Sequence, residues 1–277
     1  MASVYSRARE VKQPYGGYLQ SSQFEIIQMK DGLSLNADEN IHGSYIGLAV
    51  DYLTRYMLGI NKEDAFKVSI NGAGAISEKA LKRAFALLHG IQGLDDKSIY
   101  NACKLVTFDV SCRNPSRAHL AIEAYNNVKP DLHTLANIRI MVERSLLFFK
   151  KYGPIVSAGF TFKPVEINTD AKMEMIISQK GTYGGYTATV SSGDGDFLTK
   201  DTLWDFKVTR DKPSSRDRLQ VLMYWIMGKH SGQEIYKNIN KIGIYNPRHN
   251  LVYLLDMETV SPEIIEIVER EVICYED

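Results

Sequence analysis

The hydrophobic pattern of the chain changes its period at Gly153-Pro154, and this change constrains the fold more than any other feature. Before it, from Tyr45 to Tyr152, apolar residues recur at spacings of three and four, as in amphipathic helices. After it, short runs rich in β-branched and aromatic residues alternate with turn residues, and Gly184-Gly185 indicates a hairpin turn. Helices followed by strands and one further amphipathic helix predict an α/β fold with a mixed sheet.

The first clearly periodic segment runs from Gly43 to Gly59. Its apolar residues fall on one side of a helix: Ile46, Ala49, Val50, Leu53 and Met57. The run Asn71-Gly72-Ala73-Gly74-Ala75 is interpreted as a loop that leads into a helix capped by Ser77. Strands are expected near four ranges: Ile155–Ile167, Met173–Gln179, Tyr186–Ser191 and Thr202–Val208.

Four polar elements follow one another in the strand-rich half. The order is Gly193-Asp194-Gly195-Asp196, then Trp204-Asp205-Phe206-Lys207, then an Arg- and Lys-rich stretch, and then Gln220 to Tyr224. Hydrolysis of a phosphodiester anion needs a cation that screens charge repulsion and makes a bound water more acidic. The carboxylates of Asp196 and Asp205 are ligands that suit Mg²⁺ or Mn²⁺. The stretch therefore predicts phosphodiester hydrolysis.

The alternation of side chains along a strand assigns separate roles to three neighbouring residues. Asp205 and Lys207 share one face, whereas Phe206 points into the core and can offer its backbone carbonyl as a ligand. Lys207 can orient the attacking water or offset charge in the transition state. Asp194 competes with Asp196 for the metal, but it lies in a run that predicts a turn entering a strand, where Asp is common without a function.

Three motifs together resemble those of a known family. Gly193-x-x-Asp196, Asp205-x-Lys207 and Gln220-x-x-x-Tyr224 are similar, in this order, to the successive motifs of the PD-(D/E)XK nucleases, specifically the RecB-like exonuclease branch. The similarity extends from about Glu166 to Met257. Each motif alone is common in unrelated proteins, and their joint occurrence carries the resemblance.

The resemblance implies a fold and an activity. The fold is α/β, an αβββαβ core with a mixed central sheet flanked by helices. We expect a single nuclease domain over residues 1–277, with 60–152 as a helical insertion and 155–277 as the core that carries the motifs. The implied activity is metal-dependent hydrolysis of DNA, exonucleolytic rather than site-specific. A restriction-type endonuclease and a non-catalytic nucleic-acid-binding subunit of a recombination or defence complex remain alternatives.

The residue that completes the metal site has two candidates. Gly47-x-x-x-Asp51 resembles the Gly-x-x-x-His of RecB-like proteins, with Asp where His is expected. Glu166 is the other candidate, because the family often has a Glu on the strand that leads into the hairpin. Ordinary solvent-facing positions explain both residues equally well.

Attraction for DNA must be local, because the chain has 33 basic and 33 acidic residues and a formal net charge of zero. Four basic residues follow the Asp-x-Lys strand and are expected to bind backbone phosphates: Arg210, Lys212, Arg216 and Arg218. On the next helix Gln220 and Tyr224 lie one turn apart. They are expected to face the metal, Gln220 positioning water or phosphate and Tyr224 contacting it.

The remaining composition excludes some classes of site. Cys103, Cys112 and Cys274 have no metal-binding spacing, so neither a structural zinc nor an iron–sulfur cluster is expected, unlike in some RecB-like relatives. No apolar run is long enough for a membrane span, and the first residues lack the apolar core of a signal peptide. We therefore expect no membrane partner and a cytoplasmic location.

Overall fold

The computed structural model describes residues 2–163 and 184–275. The predicted strand Met173–Gln179, the end of the predicted strand Ile155–Ile167, and Glu166 lie outside the described residues. The strands are β1 (Ala2–Ser3), β2 (Glu25–Gln28), β3 (Ser157–Thr161), β4 (Val190–Ser192), β5 (Asp194–Leu198), β6 (Thr202–Phe206), β7 (Lys241–Asn246) and β8 (Leu251–Asp256).

The helices fall into a long run before the sheet and a few elements around it. They are α1 (Val4–Glu10), α2 (Gly43–Met57), α3 (Lys62–Ala65), α4 (Lys67–Ile76), α5 (Glu78–His89), α6 (Asp96–Leu105), α7 (Asp109–Arg113), α8 (Ala118–Asn127), α9 (Leu132–Tyr152), α10 (Ser215–His230) and α11 (Pro262–Ile267). In the described ranges none is long and apolar enough to cross a membrane.

Six strands form one mixed sheet in the order β2-β8-β7-β6-β5-β3. β6 and β7 are parallel, whereas the other neighbouring pairs are antiparallel. The parallel pair is possible because α10 carries the chain back between the two strands. The α/β class with a mixed sheet flanked by helices is therefore confirmed.

Helices cover both faces of this sheet. On one face, Leu203 of β6 and Ile244 of β7 belong to the same apolar core as Leu222 of α10. On the other face, Phe148 of α9 stacks on Tyr245 with ring centroids 4.1 Å apart. Side chains therefore alternate along β6 between the core shared with α10 and an aromatic-rich core shared with α9, as the period of two requires.

The helical half has its own core, in which α2 and α9 pack together with the helices between them. The predicted helix from Gly43 to Gly59 is α2. The predicted loop Asn71–Ala75 is wrong, because these residues lie in α4. Gly72 explains the difference: a Cβ there would lie 2.0 Å from the carbonyl oxygen of Phe108, so this glycine permits close packing rather than a turn.

Two further predictions need correction near the site. The strand predicted over Tyr186–Ser191 is short, and only β4 at Val190–Ser192 is regular. The Gly-Asp-Gly-Asp run enters a strand as predicted, but Asp194 is not in a turn, because it already pairs with Thr161 in the sheet. Gly195 is needed for packing, since a Cβ there would lie 1.8 Å from the ring of Phe160.

Candidate functional site

Asp196 and Asp205 lie on the two strands of one hairpin. β5 and β6 pair Phe197 with Trp204, and continuing this register by one residue sets Asp196 opposite Asp205. Side chains in such a cross-strand pair have Cβ atoms about 5 Å apart. The backbone N–H of Phe206 donates to Asp196 Oδ2 at 2.7 Å. Both carboxylates and the main chain of Phe206 therefore meet at the same end of the hairpin.

Lys207 connects this hairpin to α10. Its Nζ lies 3.0 Å from Asp205 Oδ2, as expected for two residues on one strand face. It also donates to Gln220 Oε1 at 3.3 Å, and Gln220 Nε2 donates to the hydroxyl of Tyr224 at 2.9 Å. The predicted Asp, Lys, Gln and Tyr residues thus form one chain of contacts.

Tyr224 does not reach solvent. It is 4% exposed and packs its ring edge-on against Phe160, so it supports the site from beneath. Burial, together with Asp205, Asp196 and Asp194, raises the pKa of Tyr224 well above the usual value for a phenol, against the hydrogen bond from Gln220. Its hydroxyl therefore remains protonated near neutral pH.

Asp51 lies beside the site, but its carboxylate already has a partner. Arg55, one turn along α2, donates from Nε to Asp51 Oδ1 at 2.8 Å and from Nη2 to Oδ2 at 3.2 Å. The same Nη2 lies 3.7 Å from Asp196 Oδ1. Arg55 was not among the predicted site residues, although its i, i+4 spacing from Asp51 was a signal that could have indicated it.

The carboxylate pair is electrostatically strained. Burial, followed by repulsion from Asp205 and Asp51, raises the pKa of Asp196 to about 7, against the opposing effects of Arg55 and the Phe206 N–H. Burial also raises the pKa of Asp205, and the nearby Lys207 only partly offsets it. The side chain of Asp196 is still 29% exposed, so a cation can approach this pair from solvent.

Lys207 remains a cation despite its burial. Burial alone would lower its pKa, but Asp205, Asp217 and Asp196 outweigh that effect and raise it. A charged ammonium cannot act as a general base, so its chemical roles are charge stabilisation and orientation. Asp217, one of the three acidic residues that raise the pKa of Lys207, also caps the start of α10 with Ser214 and lies 3.8 Å from Arg9.

The donor set is suited to a hard divalent ion. Asp205 Oδ2 is buried and accepts no well-aligned hydrogen bond within the described ranges, although Lys207 Nζ is close. Mg²⁺ is often bound by one or two carboxylates, with waters and substrate phosphates as further ligands. Residues 2–163 and 184–275 hold no group of three or more His, Cys, Asp or Glu side chains arranged for a metal. Glu166, the other predicted ligand, lies outside those ranges.

The four predicted phosphate-binding residues differ in their exposure to solvent. Arg210, Lys212 and Arg216 are exposed on the segment that joins β6 to α10 and on the first turn of that helix. The prediction for Arg218 is wrong, because its guanidinium is buried and donates to three backbone carbonyls, those of Leu19, Pro213 and Gly16. Arg218 fastens the start of α10 to the N-terminal segment instead.

Comparison with known proteins provides no relative from which to infer an activity. The chain matches no protein-family model, no curated protein and no solved structure. A functional proposal therefore depends on the contacts among the hairpin, α2 and α10.

Proposed function

We propose that this protein is a divalent-metal-dependent nuclease that hydrolyses phosphodiester bonds of DNA, with a PD-(D/E)XK core of the RecB-like type. One observation carries the proposal: Asp196, Asp205 and Lys207 gather at one end of the hairpin, and Lys207 contacts Gln220 of the Gln-x-x-x-Tyr pair. The order α2, β3, β5, β6, α10, β7 supports it, because it follows the αβββαβ pattern of that family once α3–α9 are taken as an insertion and β4, which pairs with β1 outside the six-stranded sheet, is set aside.

The residues divide the work as follows. Asp196, Asp205 and the backbone carbonyl of Phe206 would hold Mg²⁺ or Mn²⁺, and the ion supplies a more acidic water and neutralises phosphate charge. Lys207 stabilises the negative charge that develops on the phosphate and orients the attacking water. Gln220 holds the Lys207 ammonium through its side-chain oxygen.

Arg55 compensates part of the carboxylate charge before the substrate arrives, because it lies between Asp51 and Asp196. Arg55 lies near Oδ1 of Asp196, while Oδ2 accepts a hydrogen bond from the Phe206 N–H. This hydrogen bond fixes the orientation of the Asp196 side chain. Asp51 acts through Arg55 in this arrangement, and contributes to the metal only if Arg55 moves away.

DNA as the substrate and exonuclease action rest on the family resemblance. Exposed Arg210, Lys212 and Arg216 support a nucleic-acid substrate, since they lie within nine residues after Lys207 and carry positive charge that attracts phosphates. The alternatives are a restriction-type endonuclease, which shares the same metal chemistry, and a non-catalytic nucleic-acid-binding subunit.

The decisive experiment measures degradation of end-labelled linear DNA with Mg²⁺, with Mn²⁺ and with EDTA. We expect cleavage with either metal and a loss of at least about a hundredfold in Asp205→Ala and Lys207→Ala, because each removes a charge at the reacting phosphate. Lys200→Ala, at the exposed turn of the same hairpin, and Asp194→Ala are matched controls that should keep full activity.

Two outcomes separate the alternatives. Cleavage of a closed circular DNA excludes strict exonuclease action and favours the endonuclease. Metal-independent binding of DNA without any turnover, unchanged in Asp205→Ala, would instead show a binding subunit and refute the nuclease proposal.

A further inference from the structure

A second polar site lies beside the carboxylates. A cleft of about 480 Å³, here called the α2 cleft, opens between the first turns of α2, the segment after β6 and the turn between β7 and β8. Its lining includes Gly43 and Gly47 of α2, Arg210, Arg248 and Glu39. Of these, only Arg210 belongs to the basic residues that the sequence indicated.

Arg248 is the unusual member of this lining. Its side chain is only 9% exposed, and Nη1 donates to Glu39 Oε1 at 2.9 Å. Its Nε is buried and has no acceptor in the part of the chain that the structure describes. Because Nε is buried, an anion in the cleft reaches it only after the Arg248 side chain rotates, and that hydrogen bond would remove the cost of a charged donor without an acceptor.

The charges of the cleft also favour an anion. Glu39 contacts two guanidinium groups: its Oε2 lies 3.6 Å from Nη2 of Arg210, and its Oε1 accepts a hydrogen bond from Arg248. Oε1 accepts a further hydrogen bond from Asn137 Nδ2 at 3.1 Å, so this carboxylate is already fully engaged. Two cations therefore face one carboxylate, and the cleft retains positive charge.

Helix α2 adds a third contribution. Its first turn lines the cleft, so the positive end of the helix dipole lies there, and a Cβ added at Gly43 would meet no atom within 4 Å. His42 caps this end, because its Nδ1 accepts from the Ser44 N–H at 3.2 Å, so the contribution is the dipole and not a set of free N–H groups. Gly43, Gly47 and Asp51 follow one another at four-residue spacing on the same side of the helix. The cleft therefore lies roughly 6–12 Å along the axis from Asp51, at about 1.5 Å per residue.

We propose that the α2 cleft binds a phosphate group of the substrate strand, held by the guanidinium groups of Arg248 and Arg210 beside the positive end of the α2 dipole. The fork of a guanidinium fits two phosphate oxygens, and the exposed Arg210 can turn toward them. With one phosphate for about every 3.4 Å of a strand, the bound group lies a few nucleotides from the hydrolysed bond. That a polynucleotide supplies this phosphate rests on the proposed nuclease function.

Binding is measured on the full-length chain in EDTA, so that no cleavage occurs. The probes are inorganic phosphate, as a competitor, and labelled single-stranded oligonucleotides that carry a 5′ phosphate, a 3′ phosphate or neither. Gly43→Asp places a negative charge in the cleft at a helix start that tolerates acidic residues, and Arg248→Ala removes the unpaired donor. Gly93→Asp is the matched control, because it adds the same charge to a glycine with open space outside the cleft.

We expect inorganic phosphate to compete with the oligonucleotides, and Gly43→Asp and Arg248→Ala to weaken binding by about tenfold or more, corresponding to the loss of one charged contact. Gly93→Asp should bind like the parent protein. A preference for one terminal phosphate that Gly43→Asp abolishes identifies a phosphate monoester as the ligand. Equal binding of all three oligonucleotides, equally weakened by Gly43→Asp, identifies an internal phosphodiester.

Unchanged binding of phosphate and oligonucleotides in folded Gly43→Asp and Arg248→Ala overturns the proposal, even if metal-dependent cleavage is found. Conversely, weakened binding in both variants without any cleavage by the parent protein leaves the cleft in place and refutes the nuclease proposal. Thermal unfolding of each variant shows whether it is folded, and Gly43→Asp keeps the test valid if Arg248→Ala unfolds.

Discussion

Replacing Asp196 by Asn should stabilise the metal-free protein at alkaline pH, because the carboxylate is ionised there at a cost. Its pKa rises from the ordinary 3.8 to about 7 in the folded chain. A difference of one in pKa corresponds to about 1.4 kcal/mol, so the ionised group destabilises the native state by at most about 4 kcal/mol at pH 8. The side chain is 29% exposed, so solvent screens part of this cost. We therefore expect Asp196→Asn to raise the free energy of unfolding by roughly 2 kcal/mol at pH 8.

The dependence on pH follows from the direction of the pKa. A carboxyl group with a raised native pKa binds more protons in the folded than in the unfolded state between about pH 4 and 7, so stability falls as the pH rises through this range. The advantage of Asp196→Asn should therefore be largest at pH 8 and shrink to less than about 1 kcal/mol at pH 5.

Urea denaturation in EDTA, followed by circular dichroism, measures this difference at both pH values. Asp194→Asn is the control, because it removes an exposed carboxylate two residues away on the same strand and should change stability little at either pH. Added Mg²⁺ should stabilise the parent protein at pH 8 more than the Asp196→Asn variant. A gain that is absent at pH 8, or equal at pH 5 and pH 8, would refute the electrostatic account of this pair.

Three further predictions concern the neighbours of the carboxylates. Arg55→Met removes the cation that lowers the pKa of Asp196, so the acidic limb of the pH–activity profile should move to higher pH. Tyr224→Phe removes the hydrogen bond from Gln220 and should lower the free energy of unfolding, measured by urea denaturation, by about 1 kcal/mol. The same variant should lower the turnover number severalfold with little change in KM. Arg218→Ala should lower stability by roughly 2–4 kcal/mol because three carbonyls lose their donor, whereas Arg216→Ala should weaken DNA binding at unchanged stability.

Some long-range contacts at the site could not be read from local pattern. Arg55 and Asp196 are far apart in the chain, and they meet because α2 lies against the end of the hairpin that carries Asp196. The pairing of Glu39 with Arg248 joins segments that are still farther apart. The burial of Arg218 was equally unpredictable, because nothing in the neighbouring basic residues indicates that backbone carbonyls from distant segments will accept its hydrogen bonds.

The features that depend on short-range geometry were predictable from local patterns of residues. The period of two places Asp205 and Lys207 on one side of β6 and its continuation, with Phe206 on the other side, and helical periodicity locates α2. Local patterns did not predict which charges face one another, where Arg218 and Arg248 are buried, or why Gly72 lies inside a helix. Those outcomes depend on how helices and sheet pack, and packing is a property of distant segments that no local repeat encodes.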